Sequence, residues 1–504
     1  MYKNLRRFRI VFAILFLIAI TLVFADISGK TASFFKNIIN LQFVPALFGA
    51  LTGFVGIFII LILFTILFGR VYCSFLCPTG ILQDVITFVA NIFKSKKQRR
   101  YSYSKPHRIL RYTVMTLVVA FLIAGSAKLL LSLDPYSNYG RIAANVFRPA
   151  IISANNEGAA LLPDTFYHIN YKTFTLESIM YAALCFLAIA IMSAMRGRLF
   201  CNTVCPVGSF LGLISKYSIF RITINKSKCT HCRLCEIACK SQCINSKNEQ
   251  VDSSRCVQCY NCAVSCKHNA IKLQYSCSRK ERQPIDAGKR KAFITSAGIL
   301  GAALITKIFK PELLRTATKN TKAIAPPGAI SIDHLKQYCT ACHACIAQCP
   351  SRVLRPALNE YGFDGFMLPV MDYKNGYCNY DCTACSNVCP NYALISQTSA
   401  DKKKIQIGKA TFVAKNCIVV LDGTDCGACD EHCPTKAVHM VAYRDGLLIP
   451  EVNADLCVGC GGCEYICPGR PEKAIFVAGN EIHQTVMLPE QQEQEEKTVT
   501  DFGF

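Results

Sequence analysis

Apolar residues are unevenly spread along this chain of 504 residues. They gather in the first 200 as four long runs, at about 8–25, 43–69, 113–133 and 176–195. Each run reaches or exceeds the ~20 residues that an α-helix needs to cross the hydrocarbon of a bilayer. Four membrane helices are therefore predicted. After residue 200 the pattern becomes short polar stretches punctuated by Cys, interrupted once at 288–304 by "GKRKAFITSAGILGAAL", a basic lead before a weakly apolar run. The tail 489–504, "PEQQEQEEKTVTDFGF", is polar and is predicted to be disordered.

Charge orients the predicted helices. The start "MYKNLRRFR" carries four basic residues, and segment 70–112 carries nine Lys and Arg against the single acid Asp84. Segment 26–42 has only two basic residues, and 134–175 has three against three acids. Lys and Arg concentrate in cytoplasmic loops, so the start, 70–112 and everything after 196 are expected in the cytoplasm. The net charge of +23 is explained by this orientation rather than by nucleic acid, for which no reading motif is present.

The second and fourth runs end alike, in "GRVYCSFLCPTG" and "GRLFCNTVCPVG". Both read G-R-x-aromatic-C-x3-C-P-x-G, so the membrane part is expected to be two copies of a two-helix unit. Cys73, Cys77, Cys201 and Cys205 would lie together at the cytoplasmic face, each i, i+4 pair on one side of its helix. Pro78 and Pro206 would end or bend those helices. Four such thiols suit metal binding or thiol redox work; the competing role is to shape a helix end. The lone Cys185 has no such pattern.

Of the 31 Cys, 24 fall in six runs of four. Disulfide scaffolds are usually short secreted chains, whereas these tight, repeating spacings surround a cluster. Cys229, Cys232, Cys235 and Cys239 precede Cys256, Cys259, Cys262 and Cys266, the bacterial two-cluster spacing in which the fourth Cys of each run ligates the other cluster. The expected [4Fe–4S] sets are Cys229, Cys232, Cys235, Cys266 and Cys256, Cys259, Cys262, Cys239. Lys240 and Lys267 stand where Pro usually follows the fourth Cys. Four more runs follow: Cys339, Cys342, Cys345, Cys349; Cys378, Cys382, Cys385, Cys389; Cys417, Cys426, Cys429, Cys433; and Cys457, Cys460, Cys463, Cys467. Each ends in Cys-Pro, which disfavours zinc, and crossover pairing makes two further two-cluster units. The second and third of these runs have enlarged first gaps. Cys243 and Cys277 are read as spare thiols, and His231, His343 and His432 as neighbours rather than ligands.

The first 280 residues resemble the NapH-type membrane quinol dehydrogenase component, which has four helices, two C-x3-C-P motifs and a cytoplasmic two-cluster ferredoxin. From about 288 the chain resembles the NapG/MauM-type four-cluster periplasmic ferredoxin, as in "APPGAISIDHLKQYCTACHACIAQCP". The resemblance implies a fusion of the two. The expected fold is an α-helical membrane domain, four helices in two repeats plus a fifth, with α+β bacterial-type 2[4Fe–4S] ferredoxin domains. Its parts would be the membrane domain (1–215), a cytoplasmic ferredoxin domain (216–280), a twin-arginine-like or fifth transmembrane segment with linker (288–328), a four-cluster domain (329–478) and a polar tail (479–504).

A cluster-bearing domain bound for the other side of the membrane must cross already folded, and twin-arginine export carries folded cargo. Arg290, Lys291, Ala292, Phe293 and Ile294 are close to such a signal, with Lys291 in place of the second Arg. The four-cluster domain is thus expected in the periplasm, and Ala323-Ile324-Ala325 is a candidate cleavage site. The alternative is a packed helix that leaves it in the cytoplasm. The functional expectation is a conduit in the bacterial inner membrane with six [4Fe–4S] clusters, passing electrons between the quinone pool, or a cytoplasmic donor, and a partner reductase or carrier protein. A bound quinol and an extra metal at the C-x3-C-P motifs belong to this reading. Its rivals are a metal-reducing assembly factor and a membrane redox sensor.

Overall fold

The computed structural model describes residues 1–25, 38–51, 55–95, 98–123, 127–162, 168, 176–275 and 323–486. Two helices in it are long and apolar enough to cross a membrane: α1 (Tyr2–Ala25) and α10 (Leu176–Arg196). The second and third apolar runs are not single described helices. The second holds α2 (Phe43–Leu51) and α3 (Gly56–Phe68), and the third holds α6 (Arg108–Ile123) and α7 (Lys128–Leu133). Between them come α4 (Tyr72–Phe75) and α5 (Pro78–Phe93), and later α8 (Pro135–Ile142), a π-helical turn Ala143–Phe147 and α9 (Arg148–Leu161). α11 (Leu199–Thr203) and α12 (Pro206–Ser215) complete the helical part. The export-like segment and Cys277 lie outside the described residues.

The long helices are apolar on both faces but for different reasons. On α1, Phe16, Ile20, Val23 and Phe24 are buried in the core while Val11, Ile14, Leu15 and Ile18 face outward. Ile59, Ile60, Leu63 and Phe64 of α3 and Met180, Leu184, Leu187 and Ile191 of α10 are exposed too. Outward apolar surface on this scale is foreign to a monomer in water.

Both cysteine-rich parts are built from two-stranded antiparallel sheets and short helices. In the first, β1 (Phe220–Ile224) pairs with β4 (Ile271–Tyr275), and β2 (Ile244–Asn245) with β3 (Gln250–Val251). In the second, β5 (Leu354–Pro356) pairs with β6 (Pro369–Met371), and β8 (Val438–Ala442) with β9 (Leu448–Val452). The longest ladder joins β7 (Ile405–Phe412) to β10 (Ile475–Thr485). Segment 323–325, read as a cleavage site, is built into this domain. Ile324 O accepts from Met371 N at 3.0 Å and from the Tyr361 hydroxyl, and all three residues are buried. A protease would have to unfold the domain to reach it.

The two domains meet opposite ends of α1. At its start Tyr2 stacks on Tyr260, and its hydroxyl accepts from Leu273 N at 2.9 Å. At its end Val23 O accepts from Gln348 Nε2 at 2.7 Å. With 1.5 Å of rise per residue, those contacts are about 32 Å apart along the axis. α10 joins the same two domains in the opposite sense. Tyr181 near its start packs edge-on to Phe366, and Arg198 N just beyond its end donates to Lys240 O at 3.2 Å.

Where α1, α5 and the end of α10 converge, Asp84 meets Arg9 at 3.1 Å, Arg198 at 2.9 Å and Lys240 at 3.5 Å. Arg9 and Arg198 are buried. Removing one partner of a buried charge network leaves the others uncompensated, at a cost of about 3–5 kcal/mol. Asp84→Ala is therefore expected to lower the thermal midpoint of the detergent-solubilised protein sharply, whereas Asp381→Ala, whose partner Lys403 is on the surface, should leave it nearly unchanged.

Candidate electron-transfer centres

The cysteine runs fold back on themselves as the spacing predicts. One cavity is lined by Cys229, Cys232, Cys235 and Cys266, and a second by Cys239, Cys256, Cys259 and Cys262. In the other domain, one cavity gathers Cys339, Cys342, Cys345 and Cys389, and another Cys417, Cys426, Cys429 and Cys467. Cys385 lies in the electrostatic field of Cys378, Cys349 and Cys382, and Cys463 in that of Cys460, Cys457 and Cys433. In every case three sulfurs come from one run and the fourth from its partner run. Cys417 joins its set despite the long first gap, because the helix Ile418–Asp422, closed by the left-handed Gly423, takes up the extra residues.

The backbone around the sulfurs fits a cluster. In the four runs of regular spacing, the residues just before and just after the second Cys are left-handed: His231 and Arg233, Gln258 and Tyr260, Ala341 and His343, Gly459 and Gly461. Such turns point successive N–H groups into one concavity, which favours anions including iron–sulfur centres. Gly461 also sits where a Cβ would strike the Tyr373 ring. The enlarged runs place Thr383 and Gly427 before their third Cys with negative φ instead. Three residues after the fourth Cys, Gln242, Asn269, Arg352, Tyr392 and Lys436 are again left-handed. Burial raises the Cys345 thiol well above its ordinary range, and the charges of Cys339, Cys342 and Cys389 raise it further. Iron bound there would supply one-electron chemistry and balance the crowded thiolates.

The histidines stay in supporting roles. His343 is fully enclosed, with Nδ1 at 3.1 Å from Asn145 and Nε2 at 3.1 Å from Met367 O. Burial, aided by Arg141, depresses it to about 3, so it is neutral. His432 turns to its own helix, Nδ1 lying 3.0 Å from Ala428 O. His231 bonds Ser246 O and Glu249, while Cys229, His231 and Glu249 bring their donor atoms within 4.8 Å of one another. Cys243, read from the sequence as a spare thiol, lies beside one of the sets. Its sulfur is 3.6 Å from that of Cys239, and it lines the same cavity. The hydrogen bond from Cys243 draws the Cys239 thiol down to about 7, against the opposing effect of burial.

The C-x3-C-P motifs differ from the sequence expectation in one respect. Neither pair sits on one helix. Cys73 lies within α4 and Cys201 within α11, while Cys77 and Cys205 cap the starts of α5 and α12. Pro78 and Pro206 therefore begin helices, because Pro at the first helical position gives up a hydrogen bond that would be missing anyway. All four thiols are buried in one cluster that also takes in Val257 and Cys259 of the first cysteine-rich domain.

Two halves interlock there. Arg70 reaches across to Cys201 O at 2.9 Å, and Arg198 reaches back to Cys73 O. Gly80 N contacts Cys77 Sγ at 3.4 Å, and Gly208 N contacts Cys205 Sγ at 3.2 Å. A Cβ on Gly80 would fall 2.4 Å from Cys73 O, and one on Gly208 2.3 Å from Cys201 O. Gly69 and Gly197 are left-handed, turning each chain toward its Arg. The recurrence of these Gly and Arg residues at matching positions of the two motifs is the signal of this interlock in the sequence.

Comparison with known proteins agrees with this chemistry. A model described as "4Fe-4S binding domain" matches residues 50–99 and 179–227, so each matched segment contains one C-x3-C-P motif. A "4Fe-4S dicluster domain" matches 422–470, and another "4Fe-4S binding domain" matches 249–272. The ferredoxin-type protein NapF of Escherichia coli is 28% identical over 150 residues, 30% of this chain and 83% of that protein. The methylamine utilization ferredoxin-type protein MauM of Methylorubrum extorquens is 28% identical over 195 residues, 37% of this chain and 86% of that protein. No solved structure matches.

Replacing Cys342 by Ser is expected to remove one electron paramagnetic resonance signal and about four irons per chain. The signals of the Cys229–Cys266 domain should persist, and their loss as well would show that the sets are not independent. These matches and cavities make the chain a carrier of 4Fe-4S ferredoxin domains, similar to the ferredoxin-type NapF and MauM proteins.

Proposed function

We propose that the chain is a membrane-bound electron-transfer protein holding six [4Fe–4S] clusters, two on the cytoplasmic side and four on the other. It would connect the quinone pool, or a cytoplasmic donor, with a partner reductase. The observation that carries this reading is the contact of the two cysteine-rich domains with opposite ends of α1, about 32 Å apart, a separation close to the ~30 Å of bilayer hydrocarbon. The outward apolar faces of α1, α3 and α10 support the membrane placement.

The cysteine sets lie in an order suited to conduction. Cys259 packs against the helical core, while Cys229 and Cys232 line the cavity farther out. On the other side Tyr136 of α8 abuts Cys342. From there the sets follow one another, since Cys378 N donates to Cys460 O at 2.9 Å and joins the two units of that domain. The set of Cys417 stands at the far end, where an external partner would exchange electrons. No substrate chemistry is needed in such a protein, and the partner supplies it.

Iron in anaerobically prepared protein is expected to approach about 24 per chain in the six ferredoxin sets. A reporter fused after residue 275 should read cytoplasmic, and one after 486 periplasmic, the latter depending on Arg290 and the twin-arginine machinery. Cytoplasmic readings at both positions would refute the two-sided arrangement.

A further inference from the structure

We infer that Cys73, Cys77, Cys201 and Cys205 jointly hold one further iron–sulfur cluster, shared between the two repeats, which relays electrons between the two ferredoxin domains. The inference rests on the membrane electron-transfer reading above and adds to it a seventh centre and a route.

Four observations carry it. The four thiols converge: each lies in the electrostatic field of the other three. Their spacing is not that of a mononuclear site. A tetrahedral zinc with bonds of about 2.3 Å would hold all its sulfurs within about 3.8 Å of one another, yet no three of these four lie within 4.8 Å. The same is true of every ferredoxin set, so the arrangement matches a polynuclear centre.

The third observation is charge. The Arg70 guanidinium is fully buried, and among the described residues its contacts are Asn202 Oδ1, Ser254 O, Cys201 O and, at 3.8 Å, Cys73 Sγ, with no carboxylate. Its Nε has no hydrogen-bond partner there. A buried cation without an anion is costly, and a cluster bound by four thiolates is itself an anion. Gln83 Nε2, 3.0 Å from Cys201 Sγ, supplies a hydrogen bond to a sulfur, a contact that tunes cluster potentials.

The fourth is position. Phe12, about 15 Å along α1 from Tyr2 and about 17 Å from Val23, packs on Phe75, two residues from Cys73. Toward the first domain, Asn202, beside Cys201, donates to Ser241 O, two residues from Cys239. Toward the second, Thr79, two residues after Cys77, donates to Pro135 O, and the adjacent Tyr136 reaches Cys342. A reduced [4Fe–4S] centre on one side gives up one electron, one ferric iron here becomes ferrous, and the electron then passes to an oxidised [4Fe–4S] centre on the other side. No bond or proton need move, and the sequence runs equally in reverse.

Native mass spectrometry of the full anaerobic chain tests this directly. The expected result is one cluster mass beyond the six of the ferredoxin sets, lost in Cys73→Ser and in Cys205→Ser but kept in Cys185→Ser. Arg70→Gln should lower the midpoint potential of that centre alone, because a nearby positive charge favours the more negative reduced state. Dithionite should still reduce both ferredoxin domains in Cys73→Ser, while electrons supplied to one domain no longer reach the other. A single zinc at the site, or wild-type protein with cluster masses in the ferredoxin sets only, overturns the inference without needing any variant to fold. Fewer than six ferredoxin clusters with the Cys73-dependent mass still present would instead count against the six-cluster reading.

Discussion

The reciprocal grip of Arg70 on Cys201 O and Arg198 on Cys73 O is the contact on which the helical core depends. Each guanidinium belongs to one repeat and donates to a backbone carbonyl of the other, so the two cysteine loops are held together. A buried guanidinium is tolerable only when nearly all its donors are used, and the loops between Cys and Cys-Pro provide the acceptors. The glycines at 80 and 208 exist to let those carbonyls come close. The rest of the helical part is arranged around this joint: α5 and α12 start from it, and Asp84 ties it to α1 and α10.

The joint also explains how the domains are held. The first ferredoxin domain is clasped by the same residues that form it, since Arg70 donates to Ser254 O and Arg198 N to Lys240 O. The strand of chain after α5 adds a strap, with Tyr103 N donating to Glu236 at 2.9 Å and Arg255 donating to Ser104 O. Two basic residues of segment 70–112, Arg70 and Arg111, thus help to attach this domain, both donating to Ser254 O. The second domain is held by hydrogen bonds of Asn145 with His343 and of Gln348 with Val23, and by the Lys128 ammonium over the Phe366 ring.

Much of the cluster chemistry was legible because Cys spacing maps almost directly onto a folded loop. The crossover sets follow from it, including that of Cys417, although an eight-residue gap hides which turn absorbs it. What spacing could not convey is three-dimensional company. Cys243 looked spare because it is outside the run, yet β2 carries it back beside Cys239. Nor does spacing tell that Cys73 and Cys77, four residues apart, fall on two helices, α4 and α5, rather than on one.

The seating of both domains on α1 gives that helix a second duty, that of a gauge in which phase matters as much as length. Each residue added to a helix advances it by about 1.5 Å and turns it by about 100°. Tyr2 and Val23 must present their contacts to two bodies at once, so one inserted residue would swing one end away from its domain while barely changing the span. Whole turns could be accommodated and single residues could not. The distance at which the two domains are held apart is therefore adjustable only in steps of about 5 Å.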